Sequence, residues 1–304
     1  MKQDYPQISK ERICRLFGKT RHALYDHQWR EHDRTVEDDI ILQMVRHIRE
    51  SLPRIGTRKL IPLLLQQLSP QQMKIGRDYL FNLLQQHHLL IRRRKRKAHT
   101  TNSKHWMRKY SNLIKFLVIT RPEQVWVSDI TYIRMVNQWA YLSLVTDAYS
   151  RKIMGFGFSI DLSVRGCLQA LEMAFSNRSY PQLALIHHSD RGTQYCCKEY
   201  VDILTLHHVA ISMTEQGDPR ENALAERVNG IIKEEFNLHN SQDSFEQTYQ
   251  RIAKSIAAYN LLRPHNSCDN LTPQQAHNTQ GTLKKRWKTY FKQYDFHPAT
   301  IPQS

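Results

Sequence analysis

Three acidic residues are spaced as a magnesium site for phosphodiester chemistry would require. Asp129 lies within an apolar run, Asp190 ends a second apolar run, and Glu226 follows with 35 residues between it and Asp190. Mg²⁺ binds a few carboxylate oxygens and leaves positions for water and phosphate, so acids contributed by separate elements suit it. Two such ions about 3.5–4 Å apart can activate an attacking hydroxyl and stabilise the leaving oxygen. The three residues are therefore the candidate catalytic and metal-binding set.

The local context of these residues supports the prediction more than their spacing does. The chain holds 28 acidic residues, and most acids in proteins are solvated surface groups. The pattern predicts Asp129 inside a strand, Asp190 just after a strand and Glu226 on a helix. A sheet with an adjoining helix can bring three such positions together.

The helix that carries Glu226 has a predicted start. We expect Asp218 as its N-cap, Pro219 as its first residue and Glu221 as the acid of a capping box. At 100° per residue, Lys233 projects within about 20° of Glu226, two turns further along. Lys233 is therefore either a solvated helix lysine or a contact to a DNA phosphate.

Several strings in the chain closely resemble the insertion-sequence-three family of transposases, OrfB type. They are His188–Tyr195, Asn222–Glu226 with Lys233 and Glu235, Asp147–Arg151, Tyr259–Asn260 with Arg263–His265, and Leu271–Pro273. The resemblance spans roughly residues 8 to 277. It implies an RNase H-like fold in which Asp129, Asp190 and Glu226 are the acidic triad. It also implies Mg²⁺ as the cofactor, with Mn²⁺ as an expected substitute.

The charge distribution indicates a polyanionic partner. The formal net charge is +16, and residues 1–120 hold 25 Lys and Arg against 10 Asp and Glu. Residues 121–304 hold 19 against 18, so nearly all of the excess lies ahead of Asp129. A DNA-binding half joined to a catalytic half explains this division better than a merely soluble basic face does.

The predicted fold class is α + α/β, in four regions. Residues 1–90 form a helical helix-turn-helix DNA-binding region, and residues 91–120 form a basic linker. Residues 121–240 form an RNase H-like catalytic core, a mixed five-stranded sheet flanked by helices. Residues 241–304 form a helical C-terminal extension.

The N-terminal region is predicted to contain short helices over Ser9–Phe17 and Arg21–Trp29 around Gly18, and a longer one over Val36–Leu52. Such helix pairs are common in all-α domains, but their charge and the family resemblance favour DNA recognition. The basic block after residue 91 is expected to lie along phosphates. The candidate DNA contacts are Lys19, Arg21, Arg58, Lys59, Arg77, Arg92, Arg93, Arg94, Lys95, Arg96, Lys97 and Lys233.

The catalytic region alternates between strand and helix patterns. The predicted strands are Val125–Arg134, Trp139–Thr146, Lys152–Ile160, Leu183–His188 and Val209–Met213. The predicted helices are Val164–Ser176, Cys196–Leu206 and, beyond Glu226, Phe245–Leu262.

The five cysteines form no Cys-x-x-Cys pair and follow no secretory signal, which predicts free thiols in a reducing compartment. The longest apolar runs are too short to span a bilayer, so no membrane partner is expected. The family resemblance implies a bacterial cytoplasmic protein associated with the nucleoid, and both observations are consistent with it.

Together these features predict a DNA transposase that cuts at insertion-element ends and transfers the 3′-OH strand to target DNA. Its expected partner is double-stranded DNA, both the terminal inverted repeats and the target. The family implies a homodimer or higher oligomer on DNA and an upstream OrfA-type product or fusion. Two alternatives stay open: an RNase H-like nuclease without strand transfer, and a catalytically inert DNA-binding regulator.

Overall fold

The computed structural model describes residues 7–68, 75–91, 106–136, 138–215, 222–238, 242–284 and 286. The chain divides into two compact units, Met1–Arg92 and Arg93–Ser304. The predicted basic block Arg92–Lys97 and nearly all of the chain after residue 284 lie outside the described ranges. The predicted boundaries at 120 and 240 both fall inside the second unit and remain predictions.

The first unit is helical. Its described helices are α1 (Lys10–Leu16), α2 (Arg21–Ser51), α3 (Thr57–Leu68) and α4 (Arg77–Gln86). Ser9 caps α1 and Thr20 caps α2, each by accepting a hydrogen bond from a backbone N–H of the first turn. Gly18 has a φ of 63° in the turn between these helices, a conformation that glycine adopts without strain. Three leucines of α3 and three of α4 are buried: Leu60, Leu64, Leu68, Leu80, Leu83 and Leu84.

The prediction of separate helices over Arg21–Trp29 and Val36–Leu52 is wrong, because α2 runs without a break through residue 51. The residues between the two predicted helices are mostly charged or polar, which removes the apolar periodicity used to recognise a helix. They include no Gly or Pro, however, and residues such as Arg and Glu have good helix propensity. The predicted turn around Gly18 does separate α1 from the 31-residue α2, and the helix-turn-helix DNA-binding role of this pair remains a prediction.

The second unit is built on a mixed five-stranded sheet. Its strands are β1 (Val125–Arg134), β2 (Trp139–Asp147), β3 (Ile153–Ser159), β4 (Ile186–Ser189) and β5 (Ala210–Met213), in the spatial order β3-β2-β1-β4-β5. The hairpin strands β1, β2 and β3 pair antiparallel, whereas β4 and β5 continue the sheet in parallel from β1. The mixed sheet predicted from the sequence is confirmed.

Helices cover both faces of this sheet. They are α5 (Val164–Ser176), α6 (Thr193–Cys196), α7 (Lys198–Leu206), α8 (Ala223–Glu235), α9 (Phe245–Leu262) and α10 (Pro273–His277). Trp126 packs with residues of α5 and α7 in one core, whereas Val125 and Val127 pack with Ala225 of α8 in another. Because neighbouring residues of a strand point to opposite faces, α5 and α8 lie on opposite sides of β1.

The C-terminal helices are bonded to the sheet. The Asn260 amide of α9 donates to the carbonyl of Ile153 at 2.9 Å, and its oxygen accepts from the Ile153 N–H at 2.9 Å. The Tyr259 hydroxyl donates to the carbonyl of Arg151 at 3.0 Å. These bonds satisfy backbone groups at the start of the edge strand β3, so α9 is part of the folded catalytic unit.

A buried charged cluster joins α10 to the start of the sheet. Glu123, Asp147 and His277 are all 0 % exposed. His277 Nε2 lies 3.2 Å from Glu123 Oε1, and its Nδ1 lies 3.5 Å from Asp147 Oδ2. Burial by itself would lower the pKa of His277, but its hydrogen bonds to the two carboxylates outweigh burial and raise that pKa. Arg178 adds a second cation, 3.2 Å from Glu123.

Alanine at position 157 is expected to destabilise the second unit strongly. A Cβ on Gly157 of β3 would overlap the carbonyl oxygen of Gly166 in α5, and neither backbone can move without separating helix from sheet. Overpacking of this kind costs about 1–3 kcal/mol, or more. Urea unfolding of Gly157→Ala measures the loss. Gly56→Ala is the matched control in the first unit, because nothing lies within 4 Å of the added Cβ; equal effects would contradict the packing explanation.

The five cysteines are free, as predicted. Cys167 and Cys196 belong to the core between the sheet and α5, where burial raises the pKa of the Cys167 thiol to about 12 and that of Cys196 to about 11. These thiols are therefore protonated core residues at neutral pH. Within the described ranges, no helix is long and apolar enough to cross a bilayer.

Candidate active site

Asp129 and Asp190 lie on neighbouring parallel strands. Asp129 is in the middle of β1, and Asp190 comes directly after the last residue of β4. The register pairs Val127 with His188, and the same offset relates Asp129 to Asp190. Residues opposite each other in parallel strands point to the same face of a sheet. The two carboxylates, both half-buried, are therefore side by side where β4 ends.

The loop after β4 holds the Asp190 side chain. The N–H of Gly192 donates to Asp190 Oδ1 at 2.9 Å, which closes a turn around the carboxylate. A Cβ at position 192 would lie 3.0 Å from the same oxygen. The absence of a side chain on Gly192 therefore lets the backbone approach the carboxylate closely.

Helix α8 is attached to β1 by two asparagines. The Asn222 amide donates to the carbonyl of Ser128 at 3.0 Å, and the Asn229 amide donates to Asp129 Oδ2 at 2.8 Å. The described α-helix begins at Ala223, and the predicted first residue, Pro219, lies outside the described residues. Its N-cap is Asn222, whose bond to the sheet sets the start of the helix. The predicted cap residues Asp218 and Glu221 lie outside the described residues.

Glu226, Asn229 and Lys233 follow one another along a single face of α8. Their spacings of three and four residues are those of neighbours on a helix surface. Asn229 contacts Asp129 directly, so this face is turned towards β1. Glu226 is exposed and Lys233 is half-buried. Burial lowers the pKa of Lys233, while the nearby charges of Glu234 and Asp129 favour its protonated form.

The surroundings of Asp129 disfavour its ionised form. Burial raises the pKa of its carboxyl to about 7, and the charges of Asp190 and Glu226 add to the increase. The hydrogen bond from Asn229 opposes this shift but does not cancel it. Burial and the neighbouring negative charges both disfavour the ionised form of Asp129, and a divalent metal ion bound beside it would favour that form.

The residues at this site suit a divalent cation whose main protein ligands are the carboxylates of Asp129 and Asp190. Among the described residues, no group of three or more His, Cys, Asp or Glu side chains forms a metal site as it stands. Mg²⁺ commonly binds only one or two protein carboxylates, with water and phosphate as its other ligands. Asp129 and Asp190 can provide the two carboxylates. The oxygen of Asn229 is also buried without a hydrogen-bond partner among the described residues. Glu226 would complete the set from α8.

Asn229 was not predicted from the sequence, although a signal existed. Asn229 is three residues after Glu226 and four before Lys233, so it lies on the same face of α8 as both. We expect Asn229→Leu to reduce strand joining by about 10–100-fold, since groups that orient a metal ligand have effects of this size. The metal concentration for half-maximal rate should rise as well. Unchanged metal dependence in a folded Asn229→Leu protein would contradict a role in orienting Asp129.

The predicted DNA contacts of the first unit lie at the starts of helices. Lys19 is exposed in the turn before α2, and Arg21 is the first residue of α2. Arg58 and Lys59 are in the first turn of α3, and Arg77 opens α4, where it pairs with the neighbouring Asp78. Helix N-termini favour phosphate groups, which suits these positions. The contacts remain predictions.

Comparisons with known proteins identify the family of the region that contains these residues. Residues 119–219 and residues 207–273 each match a family model described as integrase core domain. The chain is 31% identical over 268 residues to an uncharacterized 31 kDa protein of insertion element IS600 from Shigella sonnei, covering 86% of this chain and 96% of that protein. It is 34% identical over 158 residues to transposase InsF of insertion sequence IS3A from Escherichia coli (strain K12). That match covers 52% of this chain and 54% of InsF, so it spans about half the length of each.

Solved structures give weaker likenesses. The catalytic core domain of HTLV-2 integrase, in its trimeric magnesium complex, has a TM-score of 0.41 and 21% identity, covering 52% of this chain and 97% of that chain. A simian T-cell lymphotropic virus intasome bound to the PP2A regulatory subunit B56 gamma has a TM-score of 0.46 and 16% identity, with coverage of 78% and 79%. The family assignment therefore depends on the sequence matches. The chain matches the integrase core models, and it aligns with 96% of the IS600 protein. The chain therefore belongs to the insertion-sequence-three family of transposases.

Proposed function

We propose that Asp129, Asp190 and Glu226 are the catalytic residues with which this transposase cuts DNA at element ends and joins the freed 3′-OH to a target. The main support is the register of β1 and β4, which sets Asp129 beside Asp190. The bond from Asn229 to Asp129 adds support, because it turns the Glu226 face of α8 towards the same carboxylate.

We infer that Asp129 and Asp190 hold a divalent cation, Mg²⁺ or its substitute Mn²⁺, and that Glu226 completes the ligand set. When bound, such ions activate the attacking oxygen and neutralise the charge that develops on the phosphodiester. Asn229 keeps the Asp129 carboxylate in one orientation. Lys233, on the same helix face, is suited to contact a phosphate next to the reacting one and so to hold the strand.

We further propose that the first unit binds the terminal inverted repeats through Lys19, Arg21, Arg58, Lys59 and Arg77. The block Arg92–Lys97 would add contacts to phosphates without sequence preference. Assembly as a homodimer or higher oligomer on paired ends, with an OrfA-type product or fusion, is the arrangement the family suggests.

An assay with a labelled duplex that carries one element end tests the proposal. Cleavage at the end and joined products, both dependent on Mg²⁺ or Mn²⁺, are expected and can be separated on a denaturing gel. Cleavage without joined products would favour an RNase H-like nuclease. End binding without any metal-dependent cleavage would favour an inert DNA-binding regulator.

A further inference from the structure

The C-terminal end of α8 is held by a buried arginine from beyond α9. Glu235 is the last residue of α8, and Arg263 follows the last residue of α9. Arg263 Nε donates to Glu235 Oε2 at 2.8 Å, and Nη2 donates to Oε1 at 2.8 Å. The Arg263 side chain is only 1% exposed. This two-point contact fixes the direction of the carboxylate as well as its distance.

The remaining groups of Arg263 are also engaged. Its Nη1 donates to Nε2 of His265 at 2.7 Å, and its guanidinium carbon lies 5.6 Å from the centre of the Tyr259 ring. Tyr259 is itself bonded to the carbonyl of Arg151, just before β3. These contacts fix the position of Arg263 relative to the sheet. Through its two hydrogen bonds, Arg263 in turn fixes the position of Glu235.

Besides its apolar packing against β1, α8 is held by three hydrogen-bonded contacts: Asn222 at its start, Asn229 near its middle and Glu235 at its end. At a rise of 1.5 Å per residue, Glu235 is about 9 Å from Asn229, and Glu226 is about 4.5 Å from Asn229 in the other direction. If α8 pivots about Asn229, a shift of about 2 Å at Glu235 moves Glu226 by about 1 Å. A misplacement of about 1 Å at reacting groups can cost a factor of about 100 in rate.

We propose that Arg263 is a positioning residue for the active site: through Glu235 it sets where α8 presents Glu226 to Asp129 and Asp190. This inference rests on the proposed catalytic role of Glu226. It gives a function to the Tyr259–Asn260 and Arg263–His265 strings, which lie outside the acidic triad. By this inference, Arg263 contributes to catalysis through Glu235 and not as a metal ligand.

Arg263→Lys is the most informative variant, because lysine keeps the positive charge but cannot form the two-point contact. At saturating DNA, the single-turnover joining rate should fall by about 10–100-fold. The Mg²⁺ concentration for half-maximal rate should rise several-fold, since a displaced Glu226 completes the ligand set poorly. Glu235→Gln, which keeps the shape of the side chain, should show a smaller change in the same direction. Affinity for the element end should stay within about twofold.

Arg178→Lys provides the matched control for a purely structural effect. The Arg178 side chain is 7% exposed and pairs with the buried acid Glu123, and among the described residues its hydrogen bonds go to Glu123 and Leu183, which are not in α8. Both variants should lower the thermal unfolding temperature, so rates are compared per folded molecule, well below either transition. Only Arg263→Lys should change the joining rate and the Mg²⁺ dependence.

The possible outcomes are distinguishable. If Arg263→Lys is folded and matches Arg178→Lys in rate and in Mg²⁺ dependence, the positioning role is wrong while the catalytic triad stands. If Asp190→Asn retains joining activity, the proposed function fails, and the positioning role fails with it. A selective loss in Arg263→Lys, alongside an inactive Asp190→Asn, supports both.

Discussion

Replacing Asp190 by Asn is expected to reduce strand joining by about 10³-fold or more, while end binding changes by no more than about twofold. The amide has nearly the same shape as the carboxylate but no negative charge, so it is a far poorer ligand for a divalent cation. Removing one stabilising group from a preorganised site already costs about 10²–10³-fold. The proposed DNA-binding residues of the first unit are unchanged, which is why affinity should persist.

A gel assay for joined products and fluorescence anisotropy with a labelled end duplex measure these two quantities. Asp202→Asn is the matched control, because Asp202 is an exposed acid on α7. The control should retain both binding and joining. Joining by Asp190→Asn at the rate of the control would show that the acidic residues were wrongly assigned.

The second large effect concerns pH and metal binding at Asp129. The raised pKa of Asp129, about 7, means that the metal-free protein carries a proton there in weakly acidic solution. A metal ion must displace that proton, so the metal concentration for half-saturation should rise about tenfold per pH unit below 7. Above pH 7 the carboxylate is already ionised, and the dependence should level off.

The same group affects the stability of the metal-free protein in the opposite sense. Its pKa in the folded state is above the usual value of 3.8, so the folded chain binds more protons than the unfolded chain between these pH values. The stability contributed by Asp129 therefore falls as pH rises towards 7. Thermal unfolding at pH 6, 7 and 8, with and without Mn²⁺, measures both effects. Asp129→Asn should remove the pH dependence of both metal affinity and stability. Equal metal affinity of the unaltered protein at pH 6 and pH 8 would contradict the assignment of Asp129 as a metal ligand.

Elements bounded by clear sequence signals were predicted with both ends correct. The helices α5 and α9 start after Ser163 and Ser244, whose side chains accept hydrogen bonds from the first turn. The strand β1 was also correct, because its β-branched and aromatic residues end at a turn. The predicted helix Cys196–Leu206 is instead α6 and α7, because Cys197 adopts an extended conformation with a ψ of 155°. Apolar periodicity cannot detect a single residue that interrupts a helix.

Hydrogen-bonded pairs far apart in the chain could not be predicted in this way. The spacing of the three acids and the family motifs identified the candidate triad, but they do not encode which side chains meet. Asn229 and Asp129 are separated by 100 positions, and His277 and Glu123 by 154. A single sequence carries no direct record of such contacts. Arg263 and Glu235 were recognised as parts of motifs, but only the folded chain reveals that they are partners.

The burial of Glu123 and Asp147 limits how the protein can be shortened. A truncation after residue 219, where the first integrase-core match ends, would delete His277, so Asp147 would lose its imidazole partner and Glu123 would keep Arg178 but lose the histidine. An ionised carboxylate deprived of its partner in such an environment is strongly destabilising. Stable expression of an isolated catalytic fragment should therefore require that its last residue lie beyond position 277.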